Sequence, residues 1–180
     1  MTPENFDGLF DTFHRTAFRL ECLQSYAVAP EDEALRAFRQ GLPRPERSVR
    51  TSPWLRRVAL TTAAGKQWSR VHLVRQPLSE YLRYELIAYQ ESQAAGEQVL
   101  LADLDEHPDL AALGPDFWLF DSATADARAV LMHYDDDSGD VDRFELVTPG
   151  GRLSALEEQH DHALRAAVPL NTFLARQPVA

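Results

Sequence analysis

Trp68, Arg70 and His72 alternate along Gln67–Val74, a stretch rich in β-forming residues. At a period of two they share one face of a strand with Val74, while Val71 and Leu73 share the other. Arg75 follows at once, and Tyr81, Arg83 and Tyr84 stand on the next amphipathic segment. Arginines among aromatic rings near the end of a strand suit an anion or a flat ligand, because a guanidinium donates in its plane and stacks on ring faces. Trp68, Arg70, His72, Arg75 and Arg83 are therefore the candidate ligand-binding residues. Interior pairing of Arg70 or Arg83 with acids such as Glu85 or Asp116 explains the same residues more plainly. Other groupings carry less chemistry. On a helix, Glu158 and His162 would share a face, as would Glu157 with His160 or Asp161. Two separate pairs do not converge as zinc ligands do, so no metal site is expected. A calcium loop needs a bidentate acid at its twelfth position, and counting from Asp135 that residue is Leu146. Cys22 has no adjacent base and reads as a small buried hydrophobe.

In the run His133-Tyr134-Asp135-Asp136-Asp137-Ser138-Gly139-Asp140, an aspartate stands seven positions beyond a histidine. With a strand, a helix and a strand ahead of it and Phe117–Asp121 before a strand pair, this order resembles one half of the phospholipase D superfamily over about residues 70–170. The resemblance implies a histidine that attacks phosphorus, a lysine two positions on that holds the phosphate oxygens, and an aspartate that assists. His133 and Asp140 are then the candidate catalytic pair. Asp135 occupies the place of the lysine, and its carboxylate repels a phosphate. A single half would also need a dimer to supply the second histidine. What the resemblance implies is a degenerate phosphodiesterase. No Gly-rich phosphate loop, Gly-x-Ser-x-Gly elbow, His-Glu-x-x-His or helix-turn-helix with a basic recognition helix stands in the chain.

The elements that must position these residues follow from periodicity and breakers. Phe6, Leu9, Phe10, Phe13, Ala17 and Leu20 repeat at helical spacing and predict a helix over about 5–18 whose apolar stripe faces either the core or a partner. Pro30 followed by Glu31, Asp32 and Glu33 opens a second helix that Gly41 stops. Leu42–Pro53 holds three prolines and much charge and reads as a loop. Trp54–Thr62 and Gln67–Val74, separated by Ala63–Lys66, predict a hairpin. Ser79 and Glu80 open the clearest helix, Gly96 closes it, and Val99–Ala102 reads as a buried strand, completing a βαβ unit over about 70–102 with parallel strands. Short antiparallel strands are expected over 116–121, 129–134 and 143–148, then a closing helix that stops before Pro169. The expectation is an α/β fold with a mixed sheet. Residues 1–53 form an N-terminal helical region and an Arg/Pro-rich loop that cap an α/β domain over 54–180, in one compact unit overall.

The composition narrows the function classes. The 180 residues carry a net charge of −10 and are 44% hydrophobic, enough for a real core and against wholesale disorder. The charge is uneven: residues 1–90 carry 10 acids and 13 bases, and residues 91–180 carry 18 acids and 5 bases. The acidic half repels a nucleic-acid backbone, so direct nucleic-acid binding is disfavoured. Seven arginines lie between Arg36 and Arg57, whereas Lys66 is the sole lysine. No stretch approaches ~20 uninterrupted apolar residues, so no membrane span is expected. Met1-Thr2-Pro3-Glu4 shows no signal-peptide pattern and the one cysteine forms no internal disulfide, so the expected location is cytoplasmic.

Several stretches taken together carry a family resemblance. They include Ala17-x-Arg19-Leu20-Glu21 with Tyr26, Phe38-x-x-Gly41, Trp54, Gly65-Lys66 with Arg70-Val71, and Pro77-Leu78-Ser79-x-Tyr81. Ala95-Gly96-Glu97, Asp116–Asp121, Met132-x-Tyr134 and Ala167–Leu170 complete the set. Over nearly the whole length this resembles an uncharacterised actinobacterial family of unknown function, whose members are often encoded beside helix-turn-helix regulators. The resemblance supplies no activity and no active residues; it implies a regulatory setting. The expected function is a non-enzymatic regulatory accessory that binds a protein partner, with such a regulator as the candidate, through the Arg36–Arg57 segment and the acidic half. The alternatives are the degenerate phosphodiesterase at His133 and a small anion or nucleotide sensor around Arg70, His72 and Arg83. No cofactor is implied, and a dimer is compatible with either.

Overall fold

The alternation of Gln67–Val74 is realised in the computed structural model as strand β2, buried on both faces beyond its first residues. The structure describes residues 1–27, 32–135 and 138–177. Ahead of β2 come two short helices, α1 (Pro3–Asp7) and α2 (Leu9–Thr12), strand β1 (Thr16–Glu21), and helices α3 (Asp32–Arg39) and α4 (Pro53–Ala63). After it come α5 (Glu80–Ala94), β3 (Glu97–Asp103), a 3-10 turn at Pro108–Ala112, β4 (Phe117–Phe120), β5 (Arg128–Tyr134) and β6 (Val141–Val147). Helix α6 (Gly151–Ala166), the two-residue β7 (Val168–Pro169) and α7 (Leu170–Arg176) close the chain. The seven strands form one mixed sheet in the order β6-β5-β4-β1-β2-β3-β7. β1, β2 and β3 are mutually parallel, and every other neighbouring pair is antiparallel.

Helices cover both faces, because the central strands are buried on both sides. On one face Phe18, Leu20, Val71, Leu73, Phe117 and Leu131 pack against Leu153, Leu156 and Ala163 of α6. The other face carries two separate apolar clusters. One gathers Ala17, Trp68, Trp118, Phe120 and Val130 with Phe10, Phe13 and with Leu55 and Val58 of α4. The second gathers Val74, Val99 and Leu101 with Leu82, Leu86 and Tyr89 of α5 and Leu170 and Phe173 of α7. Between these two clusters the sheet is polar, and the candidate site lies there. No helix among the described residues is long and apolar enough to cross a membrane.

The βαβ unit and the antiparallel strands stand where periodicity places them, and the α/β mixed sheet is as expected. Two elements differ. The predicted helix over about 5–18 ends at Thr12, and Thr16–Glu21 is a central strand flanked by β2 and β4. Ala17 and Leu20 happen to continue the helical spacing of the phenylalanines, but this stretch also alternates, and its neighbours bury it on both sides. Asp121 enforces the change of direction: its carboxylate accepts the backbone N–H groups of His14, Arg15 and Thr16, the closest at 2.6 Å. The N-terminal segment is thus more than a helical cap, since it supplies a strand to the middle of the sheet. The predicted hairpin is also replaced, because Trp54–Thr62 is helical. Ser52 caps α4 by accepting the Leu55 N–H, Pro53 fits the first turn, and burial of Leu55 and Val58 outweighs the β-forming composition. Beyond the expected closing helix, β7 pairs with β3 and α7 follows. Pro30 and Glu31 lie outside the described residues, and α3 begins at Asp32.

Helix α5 starts where Ser79 accepts the Leu82 N–H and ends before Gly96, whose φ is +109°. A Cβ at Gly96 would stand 2.9 Å from the Thr62 side chain. Gly96→Ala should therefore destabilise the fold by about 1–3 kcal/mol, through both a left-handed backbone and a clash. Urea unfolding monitored by circular dichroism checks this, with Gly65→Ala, where nothing crowds the added Cβ, losing less.

Candidate functional site

Arg19 of β1 and Arg70 of β2 are direct cross-strand neighbours, with Trp118 of β4 on the far side of Arg19. Two like charges in register repel one another. The sequence answers this with Glu21, which the two-residue period places on the same face. Its Oε1 stands 3.0 Å from Arg19 Nη2, and its Oε2 stands 3.0 Å from Arg70 Nη1. Glu97 of β3 flanks Arg70 from the other side, with Oε1 accepting from Nε at 2.7 Å. Glu21, Arg70 and Glu97 are all buried, and Arg19 is 18% exposed. Burial alone would raise the Glu21 carboxyl, but Arg19 and Arg70 outweigh it and hold the pKa down at about 2. Burial likewise opposes the charge on both arginines, and the adjacent glutamates override it, so both stay ionised.

A second layer fixes this group. The Tyr89 hydroxyl of α5 donates to Glu21 Oε2 at 2.7 Å and stands 2.6 Å from His72 Nδ1. His72 Nε2 faces the Leu23 carbonyl at 2.7 Å; a carbonyl only accepts, so Nε2 carries a proton. Burial depresses the histidine pKa. Asp116 anchors the chain after β1, accepting the Cys22 N–H at 2.9 Å and the Tyr26 hydroxyl at 2.6 Å. Burial raises the pKa of Asp116, and it raises those of Tyr26 and the Cys22 thiol as well. The Arg19 guanidinium lies 5.6 Å from the Trp118 ring and 5.7 Å from the Tyr26 ring, and Arg70 lies 4.9 Å from the Tyr89 ring.

Arg19, Glu21 and Arg70 form the floor of a cleft of about 710 Å³. Its walls include Tyr26, Trp54, Tyr81, Tyr84 and Trp118, and its rim includes residues of α3 and of the segment after it. That segment is strapped down by its own arginines. Arg44 and Arg47 both pair with Glu91 of α5, at 2.5 and 3.1 Å, Arg44 lies over the Tyr84 ring, and Arg39 pairs with Glu80. At the rim's other side Arg57 holds Asp7 at 2.7 Å. The arrangement is a polar, charge-balanced floor under aromatic walls. Of the floor's guanidinium nitrogens, Arg19 Nε and Nη1 and Arg70 Nη2 have no hydrogen-bond partner among the described residues.

The residues singled out by sequence divide. Arg70 lies on the floor, His72 is wholly buried just behind it, and Trp68 is in the adjoining aromatic cluster, its Nε1 donating to Thr61. Arg75 and Arg83 are exposed and do not line the cleft, because β2 ends at Val74 and Arg83 lies on the outer side of α5. Arg70 does pair internally, with Glu21 and Glu97 rather than with Glu85 or Asp116. His133 is on the opposite face, the one α6 covers, and stands 2.9 Å from Glu145, which also pairs with Arg143 and Arg152. Asp140 sits in the β5–β6 connection, with no hydrogen bond to His133 among the described residues. His162 pairs with Asp109 and His160 with Asp161, and no group of three or more metal-ligating side chains gathers among the described residues. Arg19, Glu21, Tyr26 and Trp118 were not among the sequence candidates. The signal for the first two was the alternation of Arg19-Leu20-Glu21, hidden by the reading of that stretch as the tail of a helix.

A family model described as a domain of unknown function, DUF6879, matches residues 4–175. The chain belongs to this family. The match to DUF6879 spans every strand of the sheet and all the residues of the cleft floor. No curated protein matches the chain.

In this DUF6879 chain Glu21 couples stability to pH. Its pKa lies below the ordinary 4.5, so its contribution is complete above pH 4.5 and is lost as the pH falls toward 2. Glu21→Gln leaves two buried arginines facing each other and should cost about 3–5 kcal/mol at pH 7. Urea midpoints at pH 7 and pH 3 check both points: the wild type should weaken on acidification more than the variant does.

Proposed function

We propose that the chain is a small-molecule binding module whose ligand enters the Arg19–Arg70 cleft and carries an anionic group. One observation supports this above the rest. Two in-register arginines stand at the floor of an aromatic-walled cleft, each with a guanidinium nitrogen that no described residue engages. Donors held in fixed orientation by buried glutamates are preorganised, so little ordering cost attends binding. A volume of about 710 Å³ falls within the range of small-molecule sites. The sensor reading thereby moves onto Arg19 and Arg70, with His72 behind them and Arg83 outside.

The partner-binding reading has less support, because Arg39, Arg44, Arg47 and Arg57 are engaged with acids of the same chain. The phosphodiesterase reading has less again, because His133 is paired with Glu145 away from any cleft that holds a basic cluster. A ligand-responsive accessory to a helix-turn-helix regulator is the role that joins the cleft to the setting implied by the sequence resemblance.

Thermal-shift screening against small anions tests the proposal. A true ligand should raise stability with the logarithm of its concentration, by about 2.7 kcal/mol at a hundredfold excess over Kd. Arg19→Lys, which keeps the charge beside Glu21, should raise Kd at least tenfold, lowering that stabilisation to about 1.4 kcal/mol at the same concentration. A flat panel of anions would count against the cleft as a binding site.

A further inference from the structure

We infer that the cleft takes a small planar aromatic monocarboxylate, bound across Arg19 and Arg70 as Glu21 is bound on their other edge. This deepens the binding-module reading and rests on it. The protein itself supplies the template: one carboxylate already spans the two guanidiniums, with Oε1 at 3.0 Å from Arg19 Nη2 and Oε2 at 3.0 Å from Arg70 Nη1. The remaining terminal nitrogens, Arg19 Nη1 and Arg70 Nη2, belong to the same two planar groups. Glu21 keeps the two guanidiniums within reach of a single carboxylate, and a ligand carboxylate would accept one N–H from each of them. Carboxylates match such planar donors well.

Charge excludes a polyanion, and the case for a single carboxylate rests on the donors. On the floor Arg19 and Arg70 are balanced by Glu21 and Glu97. Around the cleft stand Asp7, Glu33, Glu46 and Glu85, whereas the rim's Arg47 is bound to Glu91. A di- or triphosphate would meet these acids without a lysine or a glycine-rich loop to compensate. The body of the ligand is constrained by the walls, which are rings. Arg19 already stacks near Trp118 and Tyr26, so a flat aromatic attached to the carboxylate continues a layered arrangement toward Trp54 and Tyr84.

The test uses the full chain with indole-3-acetate and 4-hydroxybenzoate, the amide of each, AMP, ATP and inorganic phosphate. Binding is read by tryptophan fluorescence and calorimetry. The acids should bind saturably and at least tenfold more tightly than their amides, with the nucleotides and phosphate weaker than either acid. Ala34→Trp, which fills the cleft from α3 without touching the ion pairs, should abolish binding while the circular dichroism spectrum stays native. Arg19→Lys should lose at least tenfold for the acids and little for the amides. If AMP or ATP binds saturably, the acids do not, and Ala34→Trp blocks the nucleotide, the monocarboxylate assignment is overturned while the cleft stands as the binding site. If acid and amide bind equally, the carboxylate contact is overturned. If no probe binds the wild type, or binding survives Ala34→Trp, both the ligand class and the cleft reading fail.

Discussion

The Glu21 carboxylate is the constraint on which the rest of the sheet depends. Two arginines in register at the centre of a buried sheet are tolerable only if an anion lies between them, and Glu21 engages one with each oxygen. Isolated ion pairs of this depth offer little net stability over a hydrophobic core. A buried group whose charges balance one another does, however, present fixed donors at the base of a cleft, which an apolar core could not. The Tyr89 and His72 contacts have the same sense: they orient Glu21 and are not themselves reached from the cleft.

The uneven charge along the chain takes on a local meaning in the fold. The arginine-rich segment of the basic half lies along the cleft rim, where Arg44 and Arg47 share Glu91. The acids that answer it are in the first half as well as the second: Asp7 and Glu80 are partners for Arg57 and Arg39. Half-against-half complementarity is therefore only part of the pattern. These partly exposed pairs are individually weak, and together they shape the rim rather than stabilise the core.

Much of this architecture was legible from periodicity. The two-residue alternation of Gln67–Val74 correctly put Trp68, Arg70, His72 and Val74 on one face, and helix α5 was bounded by Ser79 and Gly96 as read. What was hidden has physical causes. In β1, Ala17 and Leu20 extend the phenylalanine stripe at helical spacing, so the local pattern supports two structures and only burial between β2 and β4 decides. In α4, tryptophan, valine and threonine suggest a strand, yet the Ser52 cap and one buried stripe suffice for a helix. Arg83 was grouped with Tyr81 and Tyr84 by proximity in sequence, but helical geometry turns it outward. The cleft joins residues from β1, β2 and β4 with the strap after α3, and no short window of sequence contains that juxtaposition.

Asp121 has a consequence of another kind. It sits at φ +52° at the end of β4, and its side chain receives the amides that lead into β1, more than a hundred residues earlier in the chain. The strand that carries Arg19 and Glu21 has both its neighbours far away in sequence, β2 about fifty residues on and β4 about a hundred. Such non-local closure is slow and comes late relative to helices and hairpins. A nascent chain that has not yet reached residue 121 therefore holds the arginines of the site without the geometry that aligns them. The binding floor and the central sheet are one cooperative unit, completed only after most of the polypeptide has been made.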